Sequence, residues 1–290
     1  MKRKLMFSVV NYFILTIFAL FCIVPLILVF CISITDEATI RNYGYSFIPR
    51  KVSFYAYQLL FKGQSPIIGA YGVTILLVIV GTIIAVIITS MAAYSISNKN
   101  VKFRNHISFY FFFTMIFSGG IVPWYMVCLK LGLKNNFFAL LVPNLIFSPF
   151  NLFLVRNYMN GIPDSLMESA KIDGANDLVI AFKIYFPLAK PVLAAISLFF
   201  ALGYWNDWWN ALMLVEKPSL YPLQFFLYRV QSQINMALDP RNAINGQAKN
   251  LPAEGVRMAT AIVTIGPIIL LYPFLQKYFI KGLVIGAVKG

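Results

Sequence analysis

A membrane-crossing helix needs about 20 apolar residues in a row, and six stretches of this chain meet that length. They are Tyr12–Ile34, Ala70–Tyr94, Ile107–Cys128, Phe137–Val155, Pro191–Val215 and Met258–Tyr278. All but the fifth are free of charge over at least 19 residues, and the fifth carries Asp207. Only 12% of the 290 residues are charged and 60% are hydrophobic, against about 25% charged in soluble domains. So few charges could not cover a soluble fold of this size, and so much apolar surface excludes disorder. The expected fold is therefore all-α and polytopic: one membrane domain, 1–290, with six transmembrane helices. Lys2-Arg3-Lys4 before the first stretch would suit a signal peptide. Its apolar run is too long for one, and no small-x-small cleavage site follows, so it reads as a retained anchor.

Six spans place both termini on one side. The segments assigned inside carry 13 Lys and Arg, and those assigned outside carry 11. The compact basic runs that flank the first, second, third and last spans favour termini in the cytoplasm. The net charge of +14 is spread between apolar runs instead of forming one patch. That suits contact with anionic lipid and argues against nucleic acid.

Pro25, Gly119-Gly120, Pro123, Pro143, Pro149, Pro267 and Pro273 interrupt the spans. Breaks at membrane depth survive where protein or a water-filled cavity supplies hydrogen-bond partners, as in transporters and channels. Gly and Pro are also common in membrane helices generally, so single breaks leave both readings open. One histidine and three scattered cysteines give no metal cluster.

The segment 156–190 is a charged, proline-bounded insert between two apolar spans. Asp164 is placed to cap a short helix, Ser165–Ile172, with Gly174 marking its end. Asn176 or Asp177 is placed to cap a second, Leu178–Tyr185, expected to stop before Pro187. Leu178, Phe182 and Phe186 would share a face of it. Such a knob could rest on lipid headgroups, but its four acidic residues fit a protein partner better.

These residues carry a family resemblance. Glu168-Ser169-Ala170, Asp173-Gly174-Ala175, Phe182, Ile184, Pro187-Leu188 and Pro191 resemble the EAA loop of ABC-importer membrane subunits, with Ser169 replacing a small alanine. Gly119-Gly120 before Pro123, Trp205-Asn206, Asn210-Ala211 and the tail Lys281–Gly290 extend it. The chain is similar to carbohydrate importer permeases of the maltose type, above all those for complex oligosaccharides. The resemblance implies a type I importer fold in the bacterial cytoplasmic membrane. The chain would pair with a second, different permease and sit on an ATPase dimer that binds ATP and Mg. An extracytoplasmic binding protein would deliver the sugar. It further implies that Glu168, Ser169, Ala170, Asp173, Gly174, Ala175, Phe182 and Pro187 couple to the ATPase, and that Gly282, Gly286 and Gly290 allow the tail close approach to it.

The chain itself has no Gly-Lys dipeptide and no P-loop, so its energy must come from partners. No catalytic role is expected, and no cofactor is expected on this chain. An integral-membrane enzyme acting on glycan or lipid would need clustered acid and base residues. An ion-coupled secondary transporter would need a relay of buried carboxylates. One histidine and Asp207 are thin support for either.

In the fifth span, Trp205, Trp208 and Trp209 at i, i+3 and i+4 would share a helical face beside Asn206, Asp207 and Asn210. Aromatic faces and amides suit sugar rings and hydroxyls, and the resemblance favours Trp205, Asn206 and Asn210 in a substrate cavity. A tryptophan belt at the outer interface is the other reading. The external segments 35–69 and 216–257 read as long loops that form the docking surface for the binding protein, or that pack on their own subunit.

Overall fold

The computed structural model describes residues 2–61, 66–238 and 253–267. Among them regular structure is helical, apart from one isolated antiparallel bridge between Thr35 and Val52. In chain order the helices are α1 (Lys2–Ser33), α2 (Glu37–Tyr43), α3 (Tyr55–Phe61), α4 (Pro66–Ser97), α5 (Arg104–Ile116) and α6 (Ile121–Lys130). There follow α7 (Phe138–Leu141), α8 (Pro149–Met159), α9 (Asp164–Ile172), α10 (Asp177–Leu188), α11 (Lys190–Asn206) and α12 (Trp209–Leu214). The last two are α13 (Leu223–Leu238) and α14 (253–267).

Two of the six apolar stretches are single long helices. Phe7–Ser33 within α1 and Ile67–Ser97 within α4 are each long and apolar enough to cross a membrane. The next three are broken, each at residues that explain the break. The third becomes α5 and α6, bent by 117° at Gly119-Gly120, where Gly120 has φ +84°. The fourth becomes α7 and α8, separated where Asn144 turns at φ +64° and Pro149 begins a new helix behind the Ser148 cap. The fifth becomes α11 and α12, parted at Asp207-Trp208. The sixth is described only as far as 267; the rest of it and the tail, with Gly282, Gly286 and Gly290, lie outside the described residues.

The described residues form two compact units, one up to Ile67 and from Leu227 onwards, the other Ile68–Phe226. In the first, the segment expected outside is ordered by local pairing at the end of α1. The Asp36 N–H donates to Lys51 O at 3.0 Å and the Ser53 N–H to Ile34 O at 2.8 Å. The Glu37 carboxylate accepts the Gly255 N–H at 3.0 Å, covering amides at the start of α14. The expectation of long loops is corrected here: 35–69 contains α2 and α3, and 216–257 contains all of α13.

In the second unit α4 is the spine, roughly 48 Å long at 1.5 Å per residue. Towards its C-terminal end Ala85, Ala93 and Ile96 pack with Leu152, Val155, Ile180, Tyr185 and Ile196. Nearer its start Leu77 packs with Leu140, Leu141, Tyr204, Ala211 and Leu214. Between these clusters Gly81 lies against the Tyr204 ring so closely that a Cβ would sit 2.3–2.8 Å from three ring carbons. Only glycine fits there.

Candidate functional site

A broken helix leaves backbone carbonyls without partners, and away from water each needs a replacement. The α7 break obtains its partners from the fifth stretch. The Tyr204 hydroxyl donates to Leu141 O at 2.9 Å, and Asn210 Nδ2 donates to Pro143 O at 2.9 Å. Both side chains are fully buried. Asp207 serves the other break: its Oδ1 accepts the Trp209 N–H at 3.1 Å and the Asn210 N–H at 3.2 Å, capping α12 at its start. The two breaks thus hold each other.

The third break meets them at a cleft of about 490 Å³. Ser118, Gly119, Gly120 and Trp124 line it from the α5–α6 break, Asn144 from the α7–α8 break, and Trp209 from the start of α12. Asn144 also lines a second cleft of about 340 Å³, with Ser148, Asn151, Phe199, Phe200 and Gly203. Convergence of broken helices on a polar and aromatic cavity is the arrangement in which transporters bind substrate.

The residues singled out in the fifth stretch are dispersed by its break. Trp205 is buried, with its ring 6.4 Å from that of Tyr71. Asn206 is exposed and donates to Leu202 O at 2.9 Å. Trp208 is exposed and meets Trp209 edge-on at 5.8 Å. The expected common face of Trp205, Trp208 and Trp209 does not form, because the helix ends at Asn206. Trp124, Asn144 and Tyr204 take the central positions instead. Asn144 and Pro149 bracket the α8 start, a loop signal that a long apolar window conceals.

The 156–190 segment is the second feature. α9 starts at Asp164 itself, so this residue lies in the first turn instead of capping it, and its carboxylate pairs with Lys99 Nζ at 2.6 Å. At the other end the Gly174 N–H donates to Lys171 O at 3.1 Å and the Ala175 N–H to Ala170 O at 2.9 Å. With Gly174 at φ +82°, this is a Schellman ending. Of the two candidates, Asn176 caps α10, its side chain accepting the Val179 N–H at 2.8 Å.

The expected stop before Pro187 is corrected, since α10 runs on to Leu188. A π-helical turn, Ala181–Tyr185, precedes the proline. It widens the spiral just where Pro187 lacks an N–H and its ring would crowd the preceding turn. The chain then bends by 85° into α11.

One side of this hairpin is buried: Met167, Ala170, Ile180 and Tyr185 enter the core, where the Tyr185 and Tyr94 rings meet edge-on at 5.1 Å. Burial pushes the Tyr185 phenol up from its ordinary value, keeping it neutral. The other side faces away from the chain. Glu168, Ser169, Asp173, Gly174 and Pro187 are exposed, as are Ile172, Leu178 and Phe182; Ala175 is half-buried. Ile172 is 87% exposed, an apolar side chain that packs on nothing in its own core.

A cleft at converging helix breaks and, elsewhere in the same unit, a charged helical hairpin with an exposed apolar face are features of a membrane transport subunit. The chain belongs to the family of binding-protein-dependent transport system inner membrane components, which matches residues 85–285, a transport component and not an enzyme. It is 36% identical over 290 residues, 100% of both chains, to the polygalacturonan/rhamnogalacturonan transport system permease protein YtcP of Bacillus subtilis (strain 168). It is 35% identical to Protein LplC of the same organism, covering 100% of this chain and 97% of that one. Among solved structures it is similar to a bacterial ABC transporter involved in the import of the acidic polysaccharide alginate. That match has a TM-score of 0.81 and 34% identity, and covers 94% of this chain and 96% of the other. The resemblance read from the EAA-like loop therefore holds, and the membrane enzyme and the secondary transporter give way to it.

Proposed function

We propose that this chain is one membrane-spanning half of an ATP-driven importer of acidic oligosaccharides, crossing the membrane six times with both termini in the cytoplasm. The observation that carries the transport role is the cleft where three helix breaks meet. The acidic substrate is suggested by two similar proteins, one for polygalacturonan/rhamnogalacturonan transport and one for alginate import.

Sidedness is supported from within the second unit. Near the C-terminal end of α4, Lys99 pairs with Asp164, joining two segments both expected inside. Near its start, Thr74 Oγ1 accepts the Leu223 N–H at 2.8 Å, and Lys134 pairs with Glu216 at 2.9 Å, joining segments both expected outside. A 32-residue helix separates the two groups.

The importer also needs a second permease, an ATPase pair that holds ATP and Mg, and an external sugar-binding protein. The exposed face of α9 and α10, centred on Glu168, Ile172 and Phe182, is the ATPase contact, and the tail carrying Gly282, Gly286 and Gly290 also reaches the ATPase pair. Gly174 sets the angle between the two helices. In the spans, Trp124, Asn144 and Trp209 face the sugar, while Trp205, Asn206, Asp207, Trp208 and Asn210 shape the pathway around it.

The test is affinity purification of the intact complex followed by measurement of its ATP turnover. Co-purification of an ATPase and a second permease is expected, with turnover raised by binding protein loaded with oligogalacturonate. A chain that purifies alone, or turnover raised only by neutral maltooligosaccharides, would overturn the role or the substrate respectively.

A further inference from the structure

The cleft of about 340 Å³ lies against the first turn of α8, a half-helix that begins inside the fourth apolar stretch. We propose that this helix start is a carboxylate subsite, which receives an acidic sugar unit during translocation. The inference rests on the acidic-substrate reading above and adds where the charge is read.

Three features assemble the subsite. α8 is 11 residues long, enough to carry a partial positive charge at its first turn. Its Phe150 N–H precedes the first intrahelical bond, Leu152 N–H to Ser148 O at 3.0 Å, and so has no acceptor in the helix. Ser148 Oγ accepts the Asn151 N–H at 3.4 Å, which leaves its hydroxyl proton free to donate.

Asn151 is the independent sign of a ligand. It is 5% exposed and lines the cleft, and its carboxamide has no hydrogen-bond partner among the described residues. The residue is buried but its amide opens onto the cleft, where it is available to whatever enters. Among the described residues none that lines the cleft is acidic, and Phe199 and Phe200 form part of its wall. The donors Phe150 N–H, Ser148 O–H and Asn151 Nδ2 match the acceptor oxygens of a carboxylate, and the half-helix supplies the charge preference.

The test uses the complete importer in proteoliposomes with loaded binding protein, and follows uptake of trigalacturonate. Asn151→Asp puts a carboxylate in the first turn, which α8 itself tolerates well, so the complex should assemble in ordinary yield. Uptake should fall about tenfold or more through like-charge repulsion. Asn151→Leu removes the donor without adding charge and should cost only about threefold. Equal losses in both variants, or none in either, would overturn the subsite while the acidic-substrate reading stands. Failure of the unaltered importer to take up trigalacturonate would overturn that reading, and the subsite with it.

Discussion

The breaks within the apolar stretches and the hairpin of α9 and α10 face one problem, helix ends whose backbone groups lack partners. They solve it over different distances. At Gly174 the ending is local: two backbone bonds and a left-handed glycine finish α9, and Asn176 starts α10. At the α7 break the partners come from 63 and 67 residues away, Tyr204 for Leu141 and Asn210 for Pro143. Outside the membrane, water can serve a frayed end and short-range caps suffice. Within it, a break survives only when another element supplies the bond. The core breaks should therefore be intolerant of change in stability, and the hairpin intolerant in coupling.

The largest effect is expected at the packing that holds Tyr204 in place. Gly81→Val puts carbon atoms where the tyrosine ring lies, and overpacking of this kind costs about 3 kcal/mol or more. The ring must leave, and the Leu141 carbonyl then loses its donor. Purified Gly81→Val complex should show a greatly lowered melting temperature or fail to assemble. Gly81→Val of ordinary stability would mean that α4 and α11 are not in this register.

Tyr204→Phe isolates the hydrogen bond from the packing. It keeps the ring and leaves Leu141 O buried without a donor, at a cost of about 1–3 kcal/mol. Asn210→Leu should cost less, because Asn210 Oδ1 is itself buried without a partner, so the substitution relieves one deficit while creating another at Pro143. Thermal unfolding of the two variants side by side tests the order. A larger loss for Asn210→Leu would contradict the distribution of bonds described above.

Gly174→Val moves the comparison to the hairpin. A β-branched residue at φ +82° costs about 1–2 kcal/mol locally, which the core can absorb. The angle between α9 and α10 changes, however, and with it the face proposed to meet the ATPase. The spans should insert and the binding protein should dock, while sugar-stimulated ATP turnover is lost. Glu168→Lys should do the same without altering the backbone. Full stimulated turnover in both would make the hairpin a passive linker.

This contrast also explains what could be read from the residues alone. The hairpin was legible because its signals are adjacent: Pro163, Gly174, Asn176 and Pro187 lie within one short segment, and the only errors were in the exact cap and in the stop before Pro187. The apolar stretches were legible as stretches, since hydrophobicity over about 20 residues is a local property. Their breaks were only half legible. Pro143, Pro149 and Gly119-Gly120 marked weak points, but nothing in the residues showed that an Asp207 oxygen accepts the first amides of α12. Assuming one continuous helix put three tryptophans on a common face. Tyr204 and Gly81 gave no signal, because their roles depend on which helices cross, and no short window contains that.

The smallest expected effect lies in the second unit, at the end near the start of α4 that is proposed to be external, where Lys134 and Glu216 pair on the exposed surface. The hydrogen bond from Lys134 holds the Glu216 carboxyl below its ordinary 4.5, with Asn135 contributing. The same bond raises Lys134 above its ordinary 10.5. A depressed carboxylate contributes stability above its unfolded pKa and loses it as pH falls through the folded value. A raised lysine contributes below its unfolded pKa and loses it as pH rises through the folded value. The pair is therefore fully formed from mildly acidic to mildly alkaline pH and fades only at the extremes. Asn135 Oδ1 still accepts the Lys217 N–H at 3.2 Å whatever the pH, so the turn should persist when the charges are lost. Glu216→Gln should consequently lower the melting temperature slightly at neutral pH, and by nothing in about 0.5 M salt, where exposed pairs are screened. It should also match the unaltered protein once both are taken well below pH 4.5. A large, salt-independent loss would mean that this pair is buried against another subunit of the importer, and that the surface near α12 is an interface.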